Sequence, residues 1–238
     1  MKTFGLITEG ITDQIVIENI LFGVFNNTDI PVEPLSPLRD ETDENRASTS
    51  SNWHEVFEYC RSKRFKQAVF NTDYVIIQVD TDVFMGDSVG KAYQIALKSN
   101  DGKDLSVKEI VENVIAKFKE IINSEGENGF YEKYQEKIIF AISVHSIECW
   151  LLPLYYTQKA QKTKTVNCLN TLNKALAKKE KFTISRKNPK YYRQIARNFW
   201  KSKKLHILKV YQANPSLQIF VEDLLARNIV IEEEEDES

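Results

Sequence analysis

The chain has 238 residues, 42% hydrophobic and 28% charged, with a formal net charge of −2. That is the composition of an ordinary globular protein long enough to bury a substantial core, with one domain plus an appendage as the natural expectation. No apolar run approaches the roughly 20 residues needed to span a bilayer. The apolar stretch at Met1–Glu9 is too short for a signal peptide, so the expected location is cytoplasmic, with no membrane association. Cys60, Cys149 and Cys168 are widely spaced and lack a CxxC pairing, which argues against a disulfide framework or a zinc site. His54, His145 and His206 are equally scattered.

The small net charge conceals an asymmetry. Between Lys159 and Lys209 there are 16 Lys/Arg and one acid, Glu180, whereas the rest of the chain carries 16 Lys/Arg and 33 acids. An acidic body with a basic segment is the footprint of a polyanion partner, and equally of a solvated helical surface.

In chain order, Thr3–Thr8 reads as a first strand and Glu9-Gly10 as a turn. A helix follows from Thr12 or Asp13, with Ile15, Val16, Ile20, Leu21 and Val24 at helical spacing. Three prolines between Ile30 and Leu38 leave only an irregular or edge strand there. A polar loop is expected over 39–52, then one helical pattern from Trp53 to Phe70. The short, β-branched run Val75–Val79 reads as a strand buried on both faces. It ends in Asp80-Thr81-Asp82. The stretch 84–102 reads as a loop with a short helix, Ser106–Ile122 as an amphipathic helix and 123–129 as a turn. Lys137–Val144 is a third buried strand, followed by the turn His145-Ser146-Ile147-Glu148 and an apolar helix. Beyond Pro153 helices are expected at 166–179, 191–204 and 215–228, with a late edge strand at 229–231 and an acidic disordered tail at 232–238. Alternating β and α elements imply a parallel sheet with right-handed crossovers.

The chemistry concentrates at the C-terminal ends of those strands, where open α/β sheets place their ligands. Glu9 and Asp13 follow the first strand, Asp80 and Asp82 the central one, and Glu148 the third. If the strand continues, Asp80 and Asp82 share a face and can meet one cation. Five acids at one sheet edge repel each other strongly unless cations bind there. An oxygen-only set suits Mg²⁺ or Mn²⁺. Two such ions about 3.5–4 Å apart could activate water for phosphodiester cleavage.

Thr8-Glu9-Gly10 with Asp13, and Val79-Asp80-Thr81-Asp82, resemble the TOPRIM domain of topoisomerases, primases and OLD-type nucleases. Ser146-Ile147-Glu148-Cys149-Trp150-Leu151-Leu152 looks like the Glu-x-Trp-Leu-Leu motif of small TOPRIM-like proteins associated with phage-defence ATPases. The resemblance covers about residues 3–156. It implies an α/β, TOPRIM-like (Rossmann-like) parallel sheet flanked by helices at 1–156, followed by a basic helical extension at 157–231 and the tail at 232–238. It also implies that Glu9, Asp13, Asp80, Asp82 and Glu148 are metal ligands or their immediate neighbours, with Glu9, Asp80, Asp82 and Glu148 catalytic. A topoisomerase would need a nucleophilic Tyr in another domain, for which this chain has no room. OLD-type nucleases carry a late Lys; Lys159, Lys162 and Lys164 are candidates. The implied function is an Mg²⁺- or Mn²⁺-dependent endonuclease on DNA or tRNA, the effector of an antiphage system with an ABC/SMC-like ATPase partner. A homodimer stays open.

In the basic segment, Lys187, Lys190, Arg193, Arg197, Lys201, Lys203 and Lys204 interleave with Tyr191, Tyr192, Phe199 and Trp200, a mixture suited to backbone neutralisation and base stacking. The aromatics also satisfy a helical core stripe, so the basic residues are the nucleic-acid-binding candidates. Trp150 reads as core and His145 as a turn residue. Two other readings stay open: a metal-dependent nucleotide-sugar transferase using the Asp-x-Asp pair, and an inactive TOPRIM-like partner-binding module.

Overall fold

The computed structural model describes residues 1–39, 53–85, 93–99, 101–125 and 129–231. Most of the expected polar loop at 39–52, part of the turn at 123–129, and the acidic tail at 232–238 lie outside them. The first half of the chain runs β1 (Phe4–Ile7), α1 (Ile11–Phe25), β2 (Val32–Ser36), α2 (Trp53–Arg61), α3 (Lys63–Asn71) and β3 (Tyr74–Asp80). Then come α4 (Val107–Asn123), α5 (Phe130–Tyr134), β4 (Ile138–Ser143) and α6 (Glu148–Leu151). Six helices follow: α7 (Lys159–Lys162), α8 (Cys168–Lys179), α9 (Pro189–Ala196), α10 (Asn198–Lys201), α11 (Ile207–Val210) and α12 (Pro215–Ala226).

The four strands form one sheet of order β2-β1-β3-β4, and every pairing is parallel. The proline-bearing β2 lies at the edge, and its register with β1 slips between Leu6 and Ile7. Pro34 lacks the N–H that a central strand would need, so the edge is where it can be accommodated. β1 and β3 are central and buried along their length, apart from Tyr74 at the start of β3.

Helices cover both faces. On one, Val75, Ile77 and Val79 of β3 pack with Phe57, Phe65, Val114, Phe118 and Ile122 from α2, α3 and α4. On the other, Leu6 and Ile76 share a core with Ile15, Ile20 and Trp150, and with Leu172, Tyr192, Phe199 and Leu224. Residues 157–231 are therefore not an appendage; they are a layer of the same core. This is why α1 is buried on nearly all sides: the sheet lies beneath it and α9–α11 lie above. Gly23 makes that approach possible, because a Cβ there would stand 2.5 Å from the Phe199 carbonyl oxygen. Trp150 is core, as read from its neighbours; its indole donates to Ser216 Oγ (2.8 Å) and stacks on Phe220.

Several boundaries differ from expectation. The pattern from Trp53 to Phe70 breaks at Ser62, which is extended and whose hydroxyl donates to the Tyr59 carbonyl, in competition with a helical bond. The segment 191–204 is two helices ending at Lys201, and 229–231 forms no strand. Ser106 closes a capping box with Glu109 at the start of α4. Cys149 and Cys168, read as unpaired, are disulfide-bonded, with Cα atoms 5.0 Å apart. Their 19-residue separation hid a proximity that only the packing of α8 beside α6 creates.

Candidate active site

The turns after β1, β3 and β4 bring Glu9, Asp80 and Glu148 to one edge of the sheet, and α1 adds Asp13. All four are buried, with exposures of 3%, 2%, 2% and 0%. Asp80 closes β3 on the face that carries Ile76 and Gln78. Its Oδ1 accepts bonds from Ser143 Oγ (2.8 Å) and Gln78 Nε2 (2.9 Å), and Ser143 is its register partner on β4. Glu9 is held from two sides: its Oε1 accepts from the Asp80 N–H (2.6 Å), and its own N–H donates to Gln78 Oε1 (3.2 Å). The Glu148 carboxylate accepts a short bond from the Tyr192 hydroxyl. Asp13 Oδ2 faces the Thr12 hydroxyl at 3.3 Å, whereas its buried Oδ1 has no hydrogen-bond partner among the described residues.

Asp82 stands apart. The strand ends at Asp80 and the chain winds into a 3₁₀ turn, Thr81–Met85, so the two acids do not share a strand face. Asp82 sits at the rim with its side chain 42% exposed, and its Oδ2 lies 4.0 Å from His145 Nδ1. The rim is pinned by two bonds: the Asp82 N–H donates to the His145 carbonyl (3.0 Å), and the His145 N–H donates to Thr81 Oγ1 (2.7 Å). His145 itself adopts a left-handed φ of 71°.

Among the described residues, Lys187 brings a cation to these acids. Its ammonium lies 3.8 Å from Asp80 Oδ2, and its pKa is raised, chiefly by the Asp13 carboxylate and also by Asp80, Glu148 and Glu9, against an opposing desolvation. Lys187 therefore does not belong with the surface basic residues. It ends the loop before Asn188, the N-cap of α9, and the packing of α9 on α1 swings it inward. Lys164, one of the expected late lysines, bonds Thr171 instead. Lys190, Arg197, Lys201, Lys203 and Lys204 are exposed and Arg193 is half-buried. Lys190, Arg193, Gln194 and Arg197 line a shallow polar hollow on the outer face of α9.

Lys187 alone does not neutralise these carboxylates. Burial, and next the charge of Asp13, push Asp80 well above the usual carboxylate range; burial also raises Asp13 and Asp82. Among the described residues, no three His, Cys, Asp or Glu side chains are arranged to hold a metal ion together. In chemistry the donors nonetheless fit a divalent cation: they are all oxygens, the described carboxylates outnumber Lys187, and Asp13 presents a buried oxygen without a hydrogen-bond partner among the described residues.

Gln78, Ser143 and Tyr192 are site residues that the sequence did not single out, and Lys187, expected on the basic surface, stands beside the acids instead. Gln78 carried a signal, as the polar interruption of the run Val75-Ile76-Ile77-Gln78-Val79. Lys187 carried none that set it apart from the 15 other basic residues of its segment. No protein-family model, curated protein or solved structure matches the chain.

Proposed function

We propose that this chain is a divalent-metal-dependent endonuclease of TOPRIM-like type that hydrolyses phosphodiester bonds in DNA or RNA. The observation that carries this reading is the convergence of buried Glu9, Asp13, Asp80 and Glu148, with the half-buried Lys187 beside them, at the C-terminal edge of the sheet. Mg²⁺ or Mn²⁺, if bound, would draw on Glu9, Asp80 and Glu148, with Asp13 and Asp82 alongside, brought closer together than they stand in this structure; it would supply Lewis-acid polarisation of the phosphoryl group and a water of lowered pKa. The protein's own residues do the rest. Ser143 and Gln78 aim Asp80, and Tyr192 aims Glu148. Glu9 accepts the proton of the attacking water. Lys187, whose ammonium is strengthened by its neighbours, acts as a fixed positive charge facing the anionic transition state rather than as a proton donor. Lys190, Arg193, Arg197, Lys201, Lys203 and Lys204 draw the polyanion along α9 and α10. By resemblance, the setting is antiphage defence with an ATPase partner.

Supercoiled plasmid and tRNA incubated with Mn²⁺ test the reading. Cleavage by the wild type should disappear in Asp80→Asn and Glu148→Gln; activity retained by both variants sinks the assignment. A second reading, an inactive partner-binding module, draws on Lys187 offsetting part of the acidic charge and on the absence, among the described residues, of a ready three-donor arrangement. Calorimetric titration separates the two, since Mn²⁺ binding lost in Asp80→Asn belongs only to the first.

A further inference from the structure

Behind the rim of the site, on the opposite face of the sheet, is a hollow of about 700 Å³. Phe84, Leu97, Leu105, Ile110, Val144 and Val166 line it, with Lys98 and Asp104 among its polar residues. This is the size and character of a small-molecule site, mostly apolar with a few polar groups. Its walls continue the elements that carry the acids. Phe84 follows Asp82 in the same 3₁₀ turn, Val144 precedes His145, and Val166 lies two residues before Cys168, the disulfide partner of the residue after Glu148. The two bonds joining Thr81 and Asp82 to His145 tie together the turns that carry Phe84 and Val144 of the hollow and the strand ends that carry the acids.

We infer that this hollow is a nucleoside-binding subsite, taking the base and sugar next to the phosphodiester presented to the carboxylates. The inference rests on the phosphodiester reading of the site. A ligand with an anionic phosphate at one end and an uncharged, flat, largely apolar body beside it is a nucleotide, and the site offers a surface for each part. Specificity for the flanking base then resides in the 95–98 segment and α4, away from the catalytic acids.

Ligand-observed NMR with adenosine and cytidine, which carry no phosphate, tests the hollow apart from the chemistry. Ala96 and Val166 are exposed lining residues, so Ala96→Trp and Val166→Trp should fill the space without disturbing the core, as unchanged thermal unfolding will verify. Nucleoside binding is expected in the wild type and in Asp80→Asn, and is expected to vanish in both Trp variants. On an oligonucleotide, one abasic position flanking the cut should slow cleavage about tenfold, as loss of one base contact predicts. Ala96→Trp should abolish that difference. Nucleoside binding that persists in both folded Trp variants, or no binding to the wild type, overturns the subsite whatever the cleavage assay shows. Tighter binding of an aliphatic alcohol of similar volume also overturns it, assigning the hollow to an apolar ligand. Equal cleavage of the abasic and intact oligonucleotides overturns the placement of that base beside the cut, whereas no cleavage of either, with nucleoside binding intact, counts against the nuclease reading and not against the hollow.

Discussion

Asp80 illustrates how a buried acid can work against the fold that holds it. Its carboxylate accepts two side-chain hydrogen bonds and faces Lys187, yet desolvation and the charges of Asp13, Glu9 and Glu148 outweigh them and raise its pKa. A raised acid binds more protons folded than unfolded, so stability falls as pH rises above the unfolded value of about 4. Without metal, Asp80→Asn should therefore be as stable as the wild type or more so at pH 8, and its stability should depend less on pH between 5 and 8. Urea unfolding at the two pH values is the check, and marked destabilisation at pH 8 would contradict this electrostatic balance. Lys187→Met is the complement. It removes a cation from buried carboxylates and should cost about 1–2 kcal/mol near neutral pH, between the loss for an exposed pair and that for a fully buried one, because the Lys187 side chain keeps contact with solvent. The deficit should shrink as pH falls, because burial raises the pKa of Asp80 and Asp13 and eases their protonation; an equal deficit at pH 5 and pH 7 would mean that Lys187 contributes packing rather than charge.

At the scale of elements, the site depends on short segments tied to longer ones. α6 is a single turn carrying Glu148, and it is secured by Tyr192 of α9, by the Trp150–Ser216 bond to α12, and by the disulfide to α8. Reducing the bridge, or replacing Cys149 with Ser, removes the constraint on a loop whose ends are 19 residues apart. The expected loss is about 3 kcal/mol by the chain-entropy estimate, read from denaturation with and without thiol. Identical stability in both states would show that the sulfurs are not joined in solution. α9 presents two chemistries on two faces: Tyr192 and Ile195 are buried towards α1 and the acids, while Lys190 and Arg197 face solvent.

Over the whole molecule, charge is segregated by depth as well as by sequence. The acids that matter are buried, whereas most of the basic segment covers the exterior of the C-terminal layer. If that layer carries nucleic acid, its affinity must fall steeply with salt, because each neutralised phosphate releases counterions. The triple variant Lys190→Gln, Arg197→Gln, Lys201→Gln should flatten the plot of log affinity against log salt by about two to three in slope. Filter binding across a salt series measures this, and an unchanged slope would move the interface elsewhere. Among the described residues no helix is long and apolar enough to cross a membrane.

The sequence by itself determined the elements whose stabilisation is local. Apolar runs marked β1, β3 and β4, prolines put β2 at an irregular or edge position, and amphipathic periodicity marked α4. It also determined that Glu9, Asp80 and Glu148 meet, because strands that alternate with helices run parallel and end on one side. Only the tertiary structure decided which cation sits among them, since one lysine in a segment of 16 basic residues is singled out by how α9 lies on α1. Tertiary structure likewise joined Cys149 to Cys168, separated Asp82 from Asp80 by a 3₁₀ turn, and made the C-terminal helices a layer of the core rather than an appendage. Periodicity and composition report what a residue's immediate neighbours favour. Lys187, Cys168 and Tyr192 owe their roles to contacts made across the fold, and packing of helix on helix leaves no repeat in the chain from which to read them.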